Sequence, residues 1–282
     1  MNSKFQIGAI LRNRLALAGL AITVVVILAI TLGAALMPHS EEDMDFVNLL
    51  MPPSLEHPFG TDAFGRDVLT RVLIGGRMSL MISLSAIALA SVVGTMMGSL
   101  SAYHGGWTDA VLMRFSDLLF AFPSFVLALF LMVVLGFGTP NIILAIALVY
   151  LPIFARIARN MTMLIKEEPY VQAARLMGRR PLSIIVGEII PNFSAPLLVQ
   201  ASIGVAFGII LEAGLSFIGL GVQPPTPSLG SIMADGREYF SRGPWVLTFS
   251  GLAISFALLG LNLLGDGIRD LTDPRLRERA AP

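Results

Sequence analysis

His39, His57 and His104 are the only imidazoles in the 282-residue chain, and they stand far apart in sequence. No His-Glu-x-x-His helix or other clustered ligand spacing is present, so each is expected to serve a loop or an interface rather than a metal. Cysteine is absent, which excludes a thiol nucleophile, thiolate metal sites and disulfides. There is no G-x-x-x-x-G-K-S/T phosphate loop, so the chain is not expected to hydrolyse ATP itself. There is no G-x-S-x-G elbow for an acyl-transfer serine. The chain is therefore not expected to be an enzyme or to bind a cofactor. Energy for any work it does must come from an ion gradient or from a partner.

Two other constellations carry information. The first is Glu167-Glu-Pro-Tyr-Val-Gln-Ala-Ala-Arg-Leu-Met-Gly178. Pro169 suits the first position of a helix, where its missing N–H costs nothing. Glu167 and Glu168 favour the positive end of that helix. Gly178 is placed to adopt the left-handed conformation just past its end. Arg179 and Arg180 follow, Pro181 opens a second short helix, and Pro191-Asn192 is expected to close it. The product is a helix–turn–helix, which is either an ordinary connector or a docking element. The second constellation is Gly204, Gly208 and Glu212, which fall on one face of a helix at a spacing of four. A charge within an apolar helix is costly against lipid, so Glu212 is expected to face protein or a pathway and to have a polar partner.

These features sit in a chain that is 55% hydrophobic and only 13% charged, with zero formal net charge. That balance gives no electrostatic case for nucleic acid. It does predict membrane-spanning helices of roughly 20 residues across a hydrocarbon layer of about 30 Å. Apolar runs cover Leu15–Met37, Leu80–Leu100, Leu118–Leu135, Ile142–Ile157, Phe193–Leu211 and Val246–Leu264, about six spans. The first run is longer than a signal-peptide core and is expected to be retained. With the N-terminus in the cytoplasm, 14 Lys and Arg fall on inside segments and five on outside segments. The positive-inside rule then places both termini and the Glu167–Gly178 loop in the cytoplasm. Gly94-x-x-x-Gly98 and Gly204-x-x-x-Gly208 are spaced to let helix backbones approach closely. The predicted class is an all-α integral membrane protein.

Longer stretches carry a family resemblance. Tyr170-Val-x-Ala-Ala-x-x-x-Gly178 followed by Ile190-Pro-Asn192 resembles the EAA loop of permeases in binding-protein-dependent ABC importers, with Gln172 where that loop usually has Glu. His57-Pro-Phe-Gly-Thr-Asp-Ala-Phe-Gly-Arg-Asp-Val-Leu-Thr-Arg71, Glu212–Ser228 and Asn262–Asp270 with Asp273-Pro-Arg275 resemble the dipeptide and oligopeptide permeases. Within these the chain is similar to the second of the two paired subunits, the DppC/OppC type. The resemblance implies a type I ABC importer permease architecture. It divides the chain into residues 1–76 (N-terminal segment, first helix and outer segment), 77–266 (the transmembrane domain, with its coupling loop at 159–192) and 267–282 (a cytoplasmic tail). It implies that Tyr170, Gln172, Ala173, Ala174 and Gly178 face the ATPase, and leaves Glu212 as a pathway or outer-loop residue.

The implied partners are a homologous permease of the DppB/OppB type, two ATP-binding subunits carrying ATP and Mg, an extracytoplasmic substrate-binding protein and the lipid bilayer. The implied location is the bacterial inner membrane. The implied cargo is a short peptide, with a nickel chelate or glutathione as alternatives. An ion-driven secondary transporter would need further intramembrane ionisable groups besides Glu212, and a structural scaffold would leave the inside helix–turn–helix unexplained.

Overall fold

The computed structural model describes residues 14–37, 40, 41 and 43–272. Lys4, Arg12, His39, Glu42, Asp273 and Arg275 lie outside the described residues. Among those described there is no strand, only an isolated antiparallel bridge between Thr61 and Asp67. The first span, α1, is Arg14–Leu28, continued by a wider π turn at Ala29–Gly33 and by Ala34–Leu36.

Helix α2 is Val68–His104. Its 37 residues give a rod of about 55 Å, well beyond the hydrocarbon thickness. It begins twelve residues before the apolar run because Asp67 caps it, with Oδ2 accepting from the Thr70 N–H at 2.8 Å and the Thr70 hydroxyl at 2.7 Å.

The third expected span is not one straight helix. The run Leu118–Leu135 is shared between α3, Gly106–Phe120, and α4, Ser124–Leu135, which meet at a 97° bend. Pro123 causes the break. It lacks an N–H and biases Phe122 away from the helical region. Five helices among the described residues are long and apolar enough to span, and the bent pair makes a sixth if counted as one.

Helix α5, Thr139–Ile165, follows a turn built on Gly136 and Gly138, both at positive φ. The Asn141 side-chain amide closes that turn by donating to the Leu135 carbonyl at 2.8 Å and the Gly136 carbonyl at 3.1 Å. Helix α6 is Pro169–Leu176 and α7 is Pro181–Ile184. The expected closure at Pro191-Asn192 is not found. The chain runs on through a π turn at Ile185–Ile189 and a 3-10 turn at Ile190–Phe193 into α8, Ser194–Phe217. The wide and tight turns absorb the proline within one continuous rod. A capping box at Ser228 and Ser231 starts α9, Leu229–Glu238, and α10 is Pro244–Thr272, which continues past residue 266.

Helix α5 is the centre of the bundle. Its most apolar window is 56% buried, against 17% for the corresponding windows of α1 and α10. The α2–α5 seam is nearly backbone to backbone: a Cβ at Gly98 would lie 2.0 Å from the Ala155 carbonyl oxygen, and one at Gly94 would lie 2.7 Å from that of Leu151. Gly94-x-x-x-Gly98 is thus a packing surface. The second pair faces α2 from α8, with Gly204 against Ile87 and Gly208 against Ser83.

Candidate functional site

Polar side chains gather at the two ends of the bundle. At the end carrying the Glu167–Gly178 loop, Glu168 precedes α6 in an extended conformation and Pro169 takes its first position. Helix α6 stops at a complete glycine cap. Gly178 has φ +74°, its N–H donates to the Arg175 carbonyl at 2.9 Å, and the Arg179 N–H reaches back to the Ala174 carbonyl at 3.2 Å. This is the Schellman arrangement, in which a left-handed residue satisfies the last carbonyls of a helix.

The cap fixes which side of α6 looks out. Val171 and Ala174 are buried in the chain's own core. The expected outward face therefore needs correcting at Ala174: its small side chain lets α6 lie close on this chain, three residues after Val171 on the same helical stripe. Gln172 is half-buried, its Nε2 donating to the Lys166 carbonyl at 3.1 Å and reaching the exposed Glu167 carboxylate at 3.4 Å. Tyr170 and Ala173 do face outward. They are joined by Leu176 and Met177, which are 89% and 73% exposed and were not singled out from sequence. The signal for them was present: 170, 173 and 176/177 repeat at helical spacing. Partial burial, together with Glu168 and Glu188 nearby, pushes the Tyr170 phenol up, so it stays protonated.

Long-range ties secure α6 and the end of α5 that leads to it. Arg175 Nε donates to the Tyr103 hydroxyl at 3.2 Å, and its guanidinium lies 4.6 Å from the centre of the Tyr103 ring. Lys166 Nζ donates to the Ala102 carbonyl at 2.9 Å. Asp109 takes both Arg159 Nε at 2.6 Å and Arg159 Nη2 at 2.7 Å, and also accepts from Ser101. Arg156 pairs with Asp117 at 2.8 Å. Arg175 and Tyr103 are 72 residues apart, so no local spacing announces their contact.

At the opposite end, the stretch 57–71 is a structural plug. Asp62 is 3% exposed and accepts from Arg66 Nε at 2.7 Å, Arg71 Nη1 at 2.8 Å and the N–H groups of Phe64 and Arg66. The same two arginines reach Asp235 of α9, at 3.5 and 3.3 Å. His57 Nδ1 lies 3.0 Å from Asp67, and Trp245 Nε1 donates to the Thr61 carbonyl at 2.9 Å. His104 Nδ1 lies 3.1 Å from the Leu100 carbonyl at the other end of α2. Among the described residues no group of three metal-ligating side chains exists.

Glu212 is fully buried where α8 meets α2 and α9. The Ser216 hydroxyl donates to its Oε1 at 2.6 Å. Ser79 and Ser228 also face the carboxylate, although neither makes a well-aligned hydrogen bond to Oε2. The Ser79 hydroxyl instead accepts from the Leu229 N–H at 3.3 Å, where α9 begins. Glu212 thus joins the packed interior beneath α9. Glu212→Leu is expected to leave the buried Ser216 hydroxyl without its acceptor and to destabilise the fold by about 1–3 kcal/mol. Thermal unfolding of the purified protein measures this, and an unchanged midpoint would contradict the assignment.

An apolar cavity of about 700 Å³ lies between α1, α2 and α10 and is lined by groups such as Ile22, Val26, Leu73, Phe249 and Ala253. It reaches Phe59 of the 57–71 stretch and Ser79 and Leu229 near Glu212, and its lining is almost wholly apolar.

Comparison with known proteins matches residues 90–278 to the family described as "Binding-protein-dependent transport system inner membrane component", and residues 9–53 to the "N-terminal TM domain of oligopeptide transport permease C". The chain is 39% identical over 266 residues to the dipeptide transport system permease protein DppC of Alkalihalophilus pseudofirmus, covering 94% of this chain and 88% of that one. It is 40% identical over 254 residues to the probable D,D-dipeptide transport system permease protein DdpC of Escherichia coli K12, covering 90% and 85%. It is 37% identical over 267 residues to the glutathione transport system permease protein GsiD of Escherichia coli O6:K15:H31, covering 94% and 88%. Among solved structures, a chain of the MetNI methionine ABC transporter in an inward-facing conformation shares the fold, with a TM-score of 0.56 at 19% identity over 72% of this chain and 97% of that one.

Proposed function

The chain belongs to the family of binding-protein-dependent transport system inner membrane components, and from that membership we propose that it moves short peptides inward, with ATP hydrolysed on separate subunits that dock on α6. It pairs with a homologous permease to enclose the pathway, two ATP-binding subunits work from the cytoplasmic side, and an extracytoplasmic binding protein delivers the cargo. The names of relatives that carry dipeptides, D,D-dipeptides and glutathione all support a small peptide-like solute. The bias of Lys and Arg supports cytoplasmic termini in a bacterial inner membrane.

One observation carries the docking assignment. The outward face of α6 presents Leu176 and Met177 with Tyr170 and Ala173 beside them, apolar and uncovered, among charged loop residues. Exposed apolar side chains on a rigid capped helix fit a protein cleft. The left-handed Gly178 fixes the direction in which they point. Leu176→Glu with Met177→Glu is expected to leave membrane insertion unchanged and to weaken retention of the ATP-binding subunits roughly tenfold or more, the scale of losing a buried anchor. Co-purification from solubilised membranes reads this directly, and full retention would remove α6 as the docking surface.

A further inference from the structure

On the reading that the ATP-binding subunits engage α6, we propose that α6, α2 and α5 move as one body, hinged to α8 at residues 185–193, with the α2–α8 seam as the sliding surface. The two flanks of α6 are secured in different ways. Towards α2 the ties are directional and long-range: Arg175 of α6 to Tyr103 at 3.2 Å, Lys166 in the α5–α6 link to the Ala102 carbonyl at 2.9 Å, and Thr162 of α5 to Ser99 at 3.2 Å, while Arg159 of α5 holds Asp109 of α3. Gly94 and Gly98 add backbone interlock, with no side chain between the two helices there to give way.

Towards α8 the polar ties are local. Arg179 pairs with Glu188 and reaches Ser183, and Asn192 donates to the Glu188 carbonyl at 2.6 Å, all within nine residues. The helix between them is irregular. The Ile190 N–H reaches back five residues to Ile185, and Pro191 has no N–H to give. Such mid-rod irregularities are places where a helix changes direction at low cost. Ile184, Ile185, Ile189 and Phe193 bury this joint in apolar contacts, which are non-directional and survive rotation.

The α2–α8 seam has the character of a surface that slides. Apart from Ser79, which faces Glu212, it packs side chain against glycine, Ile87 on Gly204 and Ser83 on Gly208. Two buried polar atoms along it have no partner, the Ser83 hydroxyl and Glu212 Oε2. They are a donor and an acceptor one helical turn apart along the seam. A slide of up to one turn, about 5.4 Å, would bring them together.

The cysteine-free sequence allows a direct test by paired cysteines in the assembled complex. Ser99→Cys with Thr162→Cys bridges α2 to α5. Ser83→Cys with Gly208→Cys bridges α2 to α8, where a Cβ at Gly208 lies 3.3 Å from the Ser83 Cβ, close to disulfide spacing. Oxidising the cross-seam pair is expected to cut uptake about tenfold or more, as a blocked conformational step does, with recovery on reduction. Oxidising the α2–α5 pair is expected to leave uptake intact. The ATP-binding subunits should stay bound in both. If Gly208→Cys prevents folding, Ile87→Cys with Gly204→Cys spans the same seam. Full uptake with the seam locked, or arrest by the α2–α5 bridge, overturns the inference while leaving the importer reading standing. Failure of ATP-binding subunits to associate with the unmodified chain refutes the importer reading instead.

Discussion

Asp62→Ala is expected to destabilise the protein by about 3–5 kcal/mol, the cost of leaving buried charges without their partner. Asp62 is 3% exposed and is the shared acceptor for Arg66 and Arg71, whose side chains are 12% and 5% exposed. Removing it leaves two buried guanidiniums with only the longer contacts to half-exposed Asp235. Asp235 cannot replace it, because it already receives both arginines at 3.3–3.5 Å from its half-exposed position. The N–H groups of Phe64 and Arg66 lose their acceptor too, so the loop leading to the Asp67 cap loosens. Asp235→Asn is the contrasting control and should cost about 1 kcal/mol or less, as exposed ion pairs do. Thermal unfolding of both variants in the same detergent gives the comparison. An Asp62→Ala protein within about 1 kcal/mol of wild type would mean that this network does not hold that end of the bundle together.

Gly98→Leu is expected to abolish accumulation of the folded protein. The first atom of any side chain would sit 2.0 Å from the Ala155 carbonyl oxygen and 2.8 Å from its carbonyl carbon. The obstacle is helix backbone in the most buried span, so it cannot rotate aside. The two helices must separate along their whole contact, which takes the cost beyond the usual 1–3 kcal/mol of overpacking to roughly 3 kcal/mol or more. Gly187→Ala is the matched control, since the nearest atom there is the Arg179 guanidinium at 3.6 Å, the mobile end of a long side chain. Membrane levels and melting of the two variants decide the matter. Normal levels of Gly98→Leu would contradict the seam.

The spans themselves were legible because apolar runs near 20 residues have few other uses. The helix α6 was legible for an equally local reason, since Pro169 and Gly178 punctuate it in the only order a helix allows. Gly204, Gly208 and Glu212 could be placed on one face from spacing alone, and their faces do meet α2. What escaped was set by tertiary contact or by two misjudged prolines. Pro123 breaks the third span at 97°, whereas Pro191 is absorbed into a continuous rod, and composition does not distinguish the two. Ala174 looked like an outward small residue until Val171 showed which stripe packs inward. The 57–71 stretch was visible only as a family likeness. Its chemistry depends on Asp235, more than 160 residues away from Arg66 and Arg71.

The central claim is that this chain transports its cargo with energy supplied by separate ATP-binding subunits. The most direct measurement is uptake of a labelled dipeptide into liposomes holding this chain, its paired permease, the ATP-binding subunits and the binding protein. Uptake is expected to require ATP on the side of the α6 loop and to vanish when ATP is withheld, even with an imposed proton or sodium gradient. Uptake by this chain alone, driven by either gradient without ATP, would contradict the account.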